Sequence, residues 1–128
     1  MTSTPKVKNQ PIISSEEMVN CVVNGIQNKK GMDITIMDLR SIENNFTDYF
    51  VVCSGSSDTQ IDAISESIEK EMREKLNLKP HSSEGKSSKE WVLMDFFDVI
   101  VHVFLKDKRK YYQIEDLWGD ANFTRIED

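Results

Sequence analysis

Asp48-Tyr49-Phe50-Val51-Val52-Cys53-Ser54-Gly55-Ser56-Ser57, residues 48–57, is the stretch whose reading decides the fold. Its first half is a nearly unbroken apolar run of β-prone residues. A strand with one wet face would alternate, so this run predicts a strand covered on both faces. Ser54 to Asp58 reads as a turn, with Ser57 or Asp58 placed to cap a helix. Ile61, Ile64, Ile68, Met72 and Leu76 then recur at three and four residues, which predicts an amphipathic helix over 58–77. Glu66–Lys70 and Glu71–Lys75 are i,i+4 pairs in the favourable order along it.

Upstream, Ser14 and Glu17 have the spacing of a capping box. Met18, Val19, Val22, Val23 and Ile26 form one helical stripe, Lys29 and Lys30 suit its last turn, and Gly31 is the expected stop. Met32 to Leu39 alternates, with Ile34 and Ile36 on one face and Thr35 and Met37 on the other, as a strand does. Arg40 to Thr47 is a polar connection. Downstream, Leu78 to His81 is short and extended, and Ser82 to Glu90 reads as a flexible connection. Trp91–Asp95 and Val99–Leu105 are strands that should form a hairpin about Asp95-Phe96-Phe97-Asp98. Tyr111, Ile114, Leu117 and Trp118 share one face of a short helix that Gly119 ends.

The segments 48–54, 58–77 and 78–81 suggest a crossover unit, right-handed if its strands lie parallel. With the hairpin, the expected class is α/β: a mixed β-sheet with packed helices. Residues 1–12 read as a loose tail, 13–121 as one domain and 122–128 as a second, acidic tail.

The chain has 128 residues, 38% hydrophobic and 30% charged, which suits a single soluble domain with a real core. No apolar run approaches a bilayer span, and the N-terminal residues lack the apolar stretch of a secretory signal. Cys21 and Cys53 each sit in apolar sequence. Two free buried thiols are the expectation, with a disulfide or metal pair as the alternative. The cytoplasm is the natural compartment. A net charge of -6 argues against an interface made mainly of phosphate contacts and permits a basic protein as partner.

Catalytic signals are incomplete. Ser54-Gly55-Ser56 lies between strand and helix, where backbone N–H groups hold phosphate, but the segment lacks the P-loop lysine and GxGxxG. Nucleotidyl transfer would need metal-holding carboxylates, and Asp95 and Asp98 flank a turn three residues apart instead of sharing a strand face. His102, mid-strand, reads as a structural histidine, with a partner-facing group or a general base as alternatives. His81 has no cluster around it, and no set of ligands for a metal or cofactor is evident. Lys106 to Lys110 is a solvated basic turn or, alternatively, an RNA contact.

Aromatic and acidic residues crowd the end of the chain. Trp91, Phe96, Phe97, Phe104, Tyr111, Tyr112, Trp118 and Phe123 interleave with Asp95, Asp98, Glu115, Asp116 and Asp120. Core packing explains many of them, while Trp and Tyr are also favoured interface anchors. Trp91 begins a strand beside a polar loop and is the one most open to partner contact. An interaction module is therefore the favoured class.

Several segments in fixed order resemble the ribosomal silencing factor (RsfS/iojap) family. Residues 48–57 resemble its DYFVI-x-SG-T/S-S stretch, and Glu84-Gly85 its EG pair. Residues 90–95 resemble its WVLLD strand, 98–104 its GDVVVHVF strand, and 112–120 its closing YxLExLWxDA. Together they span about residues 15 to 121. Phe97 departs from the pattern, standing where the family usually has glycine, so a differently shaped hairpin turn is expected.

The resemblance implies a nucleotidyltransferase-like α-β-α fold used without catalysis. It implies binding to the large ribosomal subunit through ribosomal protein fourteen, steric blocking of small-subunit joining, and repression of translation, with a role in large-subunit maturation as a further expectation. Little or no rRNA contact, no membrane contact and no cofactor are expected, and the free protein is expected to self-associate. The site expected from residues and resemblance together is Trp91, Leu93, Asp95, Asp98, His102, Tyr112, Glu115 and Trp118. Within it Trp91 is the apolar anchor, and Asp95, Asp98 and Glu115 meet basic residues. A nucleotidyltransferase-like enzyme and a dimeric adaptor are the competing readings.

Overall fold

The apolar run at 49–53 lies at the centre of a six-stranded mixed sheet, in a computed structural model that describes residues 12–127. The element order is α1 (Ser15–Asn28), β1 (Met32–Asp38), β2 (Tyr49–Gly55), α2 (Asp58–Leu76), β3 (Ser82–Glu84), β4 (Trp91–Asp95), β5 (Val99–Leu105), α3 (Lys106–Tyr112), α4 (Ile114–Leu117) and β6 (Asn122–Arg125). The sheet order is β3-β4-β5-β2-β1-β6. Every residue of β2 is buried, as expected for a strand covered on both sides.

α1 begins as its sequence predicts. The Ser14 hydroxyl accepts from the Glu17 N–H at 3.1 Å, and the Glu17 carboxylate accepts from the Ser14 N–H at 3.2 Å. Its end differs from expectation. Lys29 is the cap and Lys30 takes the left-handed conformation (φ 60°), so the stop precedes Gly31. α2 ends on Asn77, also left-handed, a conformation its short side chain tolerates. Of the two expected pairs on α2, Glu71–Lys75 forms at 2.9 Å.

α1 and α2 both pack on one face of the sheet. They approach so closely that a Cβ on Gly25 would lie 2.9 Å from the Ile68 Cα, and the Ser67 hydroxyl donates to the Gly25 carbonyl there. Strand periodicity sends Ile34, Val51, Cys53, Val92, Met94, Val101 and Val103 into this core. Both cysteines are free and buried. Burial pushes the Cys53 thiol up to about 12. The opposite residues, Met37, Phe50, Val52, Ile100 and Phe104, form a second core under a thinner cover, the short helices α3 and α4 and the 40–47 connection. The sheet is thus a layer between two unequal covers.

Three sequence expectations are corrected. The parallel partner of β2 is β5, not a strand near 78–81. Residues 82–84, expected as flexible connection, form edge strand β3 against β4. Residues 122–125, expected as tail, pair antiparallel with β1 as edge strand β6. Both edge strands are short and polar, and non-local pairing, not local pattern, makes them strands. The β4–β5 hairpin forms as expected, with Trp91 opposite Phe104 and Asp95 opposite Ile100. Its turn places Phe97 at φ 71°, the left-handed region that glycine adopts freely. Apart from Ile12, the expected N-terminal tail lies outside the described residues.

Candidate functional site

Trp91 and Leu93 of β4 share the second face with His102 and Phe104 of β5, because alternate residues of paired strands point the same way. Trp91 is half-buried. Its ring stacks on Phe104 at 5.0 Å and lies 4.8 Å from Tyr112 of α3. The indole N–H donates to His102 Nδ1 at 3.0 Å. A ring nitrogen that accepts cannot carry the proton, so neutral His102 holds it on Nε2. That atom is buried with no hydrogen-bond partner among the described residues. The Phe50 ring lies 4.5 Å away, steeply inclined to the imidazole. His102 is 3% exposed, and burial alone pushes its pKa down to about 3. It is therefore neutral at physiological pH and does not reach a partner. Its place in the expected contact set is corrected to that of a group orienting Trp91. Trp118 extends the aromatic row, edge-on to Phe50 at 5.5 Å and beside exposed Phe46 at 5.9 Å. Tyr111 and Leu117 also stand exposed on the covering helices.

The acidic members of the expected site lie apart. Asp95 and Asp98 flank the hairpin turn at the start of β5. Asp95 Oδ1 accepts from the Phe97 N–H at 2.8 Å, and the Asp98 carbonyl accepts from the Asp48 and Tyr49 N–H groups. Glu115 lies beyond the other end of β5, roughly 20 Å away at about 3.3 Å of rise per residue. Its carboxylate is held within this chain by Arg109, which donates to Oε1 at 3.3 Å and Oε2 at 3.0 Å. A carboxylate so paired is not a free contact for a basic partner. Through Arg109, Glu115 fastens α4 to the sheet.

Arg109 is the residue that sequence reasoning missed. Residues 106–110, read as a solvated basic turn, form most of α3, and Arg109 within it is 9% exposed. Its guanidinium also donates to the Asp33 carbonyl, to Ser54 Oγ at 3.0 Å and to Thr35 Oγ1 at 3.0 Å. It thereby joins β1, β2 and α4. The available signal was Thr35 and Ser54, polar residues inside apolar strands, since buried hydroxyls require partners. Around Arg109 a crevice of about 640 Å³ opens beyond the ends of β2 and β5, with Asp33, Lys106, Lys110, Asp116 and Arg125 on its walls. Asp95 and Asp98 lie at the far end of the sheet from Ser54-Gly55, so the carboxylates and the loop that nucleotidyl transfer would combine are not together. Among the described residues no three His, Cys, Asp or Glu side chains converge on a metal position. No described helix is long and apolar enough to cross a membrane.

The second face of the α/β sheet thus carries a row of aromatic side chains, with Trp91 oriented by a buried histidine. The family described as "Ribosomal silencing factor during starvation" matches residues 12–128. The ribosomal silencing factor RsfS of Halalkalibacterium halodurans is 36% identical over 115 residues, covering 90% of this chain and 97% of that one. A mouse protein named for mitochondrial assembly of the ribosomal large subunit is 28% identical over 107 residues, covering 82% of this chain and 46% of its own length. A crystal structure of a Chromobacterium violaceum protein superposes with a TM-score of 0.79 at 31% identity, covering 91% of this chain and 95% of that one. The chain belongs to the ribosomal silencing factor (RsfS) family. The RsfS relatives carry the name of a regulatory factor, not of an enzyme.

Proposed function

We propose that this chain is a cytoplasmic anti-association factor. It binds the large ribosomal subunit through ribosomal protein fourteen, blocks small-subunit joining by its bulk and so represses translation, with an accessory role in large-subunit maturation. The observation that carries this reading is Trp91, a half-buried aromatic held between Phe104 and Tyr112 and fixed by His102. A large aromatic locked in one orientation at the surface loses little freedom on binding, which is what an interface anchor needs. Leu93, Tyr112 and Trp118 widen the apolar contact, and Asp95 and Asp98 supply negative charge toward a basic partner. The net charge of -6 fits a contact with protein more than with rRNA. Exposed Tyr111 and Leu117 on the same cover fit self-association of the free protein. Steric blocking needs affinity and bulk, and no catalytic group enters it.

The test is sucrose-gradient sedimentation with purified subunits. The protein should travel with the large subunit and reduce the joined particle. Trp91→Ala should weaken that binding by roughly 2 kcal/mol or more, with circular dichroism showing a folded variant. A folded Trp91→Ala protein that binds as the parent does would remove this face as the contact.

A further inference from the structure

Phe97 carries a side chain that the fold itself does not require. It occupies the left-handed region at φ 71°, where a bulky side chain is an outlier, and 62% of it is exposed. The apolar packing of the turn is supplied by its neighbour Phe96, buried in the main core. What the fold takes from Phe97 is its backbone. The N–H donates to Asp95 Oδ1 at 2.8 Å and the carbonyl accepts from Thr47 Oγ1 at 2.7 Å. Glycine would keep both bonds without strain. Among the described residues the ring meets one other ring, that of exposed His81, at 4.5 Å. A bulky side chain kept on a strained backbone, where glycine would serve the turn, is characteristic of functional positions.

The next residue suggests what the ring receives. Asp98 is exposed, and its carboxylate has no hydrogen-bond partner among the described residues. An exposed aromatic ring next in the turn to an exposed carboxylate matches an arginine, whose flat guanidinium stacks on a ring while its N–H fork bonds a carboxylate. The turn lies at the opposite end of β4 from Trp91, roughly 13 Å along the strand to Asp95. That separation lies within one interface of ordinary size. Resting on the reading of the Trp91 face given above, we infer that Phe97 and Asp98 form a second anchor, which receives an arginine of the partner on the large subunit.

Phe97→Gly and Asp98→Asn test this beside Trp91→Ala, by melting and by sedimentation with purified large subunits at low and moderate salt. Phe97→Gly should melt a few degrees higher and bind about fivefold more weakly. Asp98→Asn should keep the parent melting temperature, bind about threefold more weakly and show a shallower salt dependence. Parent-like binding by both variants, with Trp91→Ala impaired, would overturn the second anchor and leave the Trp91 face standing. A clear fall in the melting temperature of Phe97→Gly would make the ring a packing contact with His81, which also overturns it. Failure of the parent protein to bind large subunits would instead remove the reading on which the anchor rests.

Discussion

Acidification from about pH 7 to about pH 5 should destabilise this protein through one residue, His102. In the folded chain burial pushes its pKa down to about 3, from an ordinary value of 6.5. No opposite charge contributes, because its ring neighbours are Phe50, Trp91 and Phe104. Below about pH 6.5 the unfolded chain therefore binds a proton that the folded chain refuses, and stability falls as pH falls. His102 exerts no such penalty above that pH, and the loss grows by about 1.4 kcal/mol per unit of pH down toward pH 3. At about pH 5 the loss is about 2 kcal/mol, a large part of the 5–15 kcal/mol typical of a domain. The assay is urea unfolding followed by tryptophan fluorescence at both pH values, on the parent and on His102→Gln. Glutamine keeps an acceptor for the Trp91 N–H and does not titrate. The parent should lose about 2 kcal/mol more than the variant, and carboxylate effects common to both cancel. An equal loss in the two proteins would refute the assignment of a buried, uncharged His102.

Arg109→Lys should lower stability by roughly 3 kcal/mol, because an ammonium cannot bridge Asp33, Thr35, Ser54 and Glu115 together. A thermal melt within about a degree of the parent would count against the keystone role. Gly85 has φ 84°, and a Cβ there would lie 2.0 Å from the Trp91 carbonyl oxygen. Gly85→Ala should therefore cost roughly 2 kcal/mol and shift Trp91 fluorescence; unchanged stability and emission would show that the loop yields freely.

Local patterns were legible in the sequence where they carry their own physics. The capping box of Ser14 and Glu17, the helical stripe of α2, the all-apolar β2 and the β4–β5 hairpin each follow from short-range spacing. The parallel pairing of β2 with β5 was not legible, since β3 and β4 intervene in sequence and nothing local names the partner. For the same reason β6 went unseen: Asn-Phe-Thr-Arg is a strand only because β1 offers an open edge. At the site, Trp91 and Leu93 are brought to one face by alternation that the sequence displays, while Tyr112 and Trp118 join them from the helical cover. Burial of His102 and capture of Glu115 by Arg109 depend on a cover folding back across the sheet, which spacing does not reveal.

The pairing of β1 with β6 also bears on how the chain is made. Asn122–Arg125, which closes the outer edge of Met32–Asp38, leaves a translating ribosome roughly 90 residues after it. At ordinary elongation rates that delay is on the order of several seconds. For that interval the nascent β1 offers unpaired N–H and C=O groups to any neighbouring chain. Crowded synthesis, not the finished protein, is then the stage at which misassembly is most probable, and a ribosome that stalls late in the message leaves that edge open.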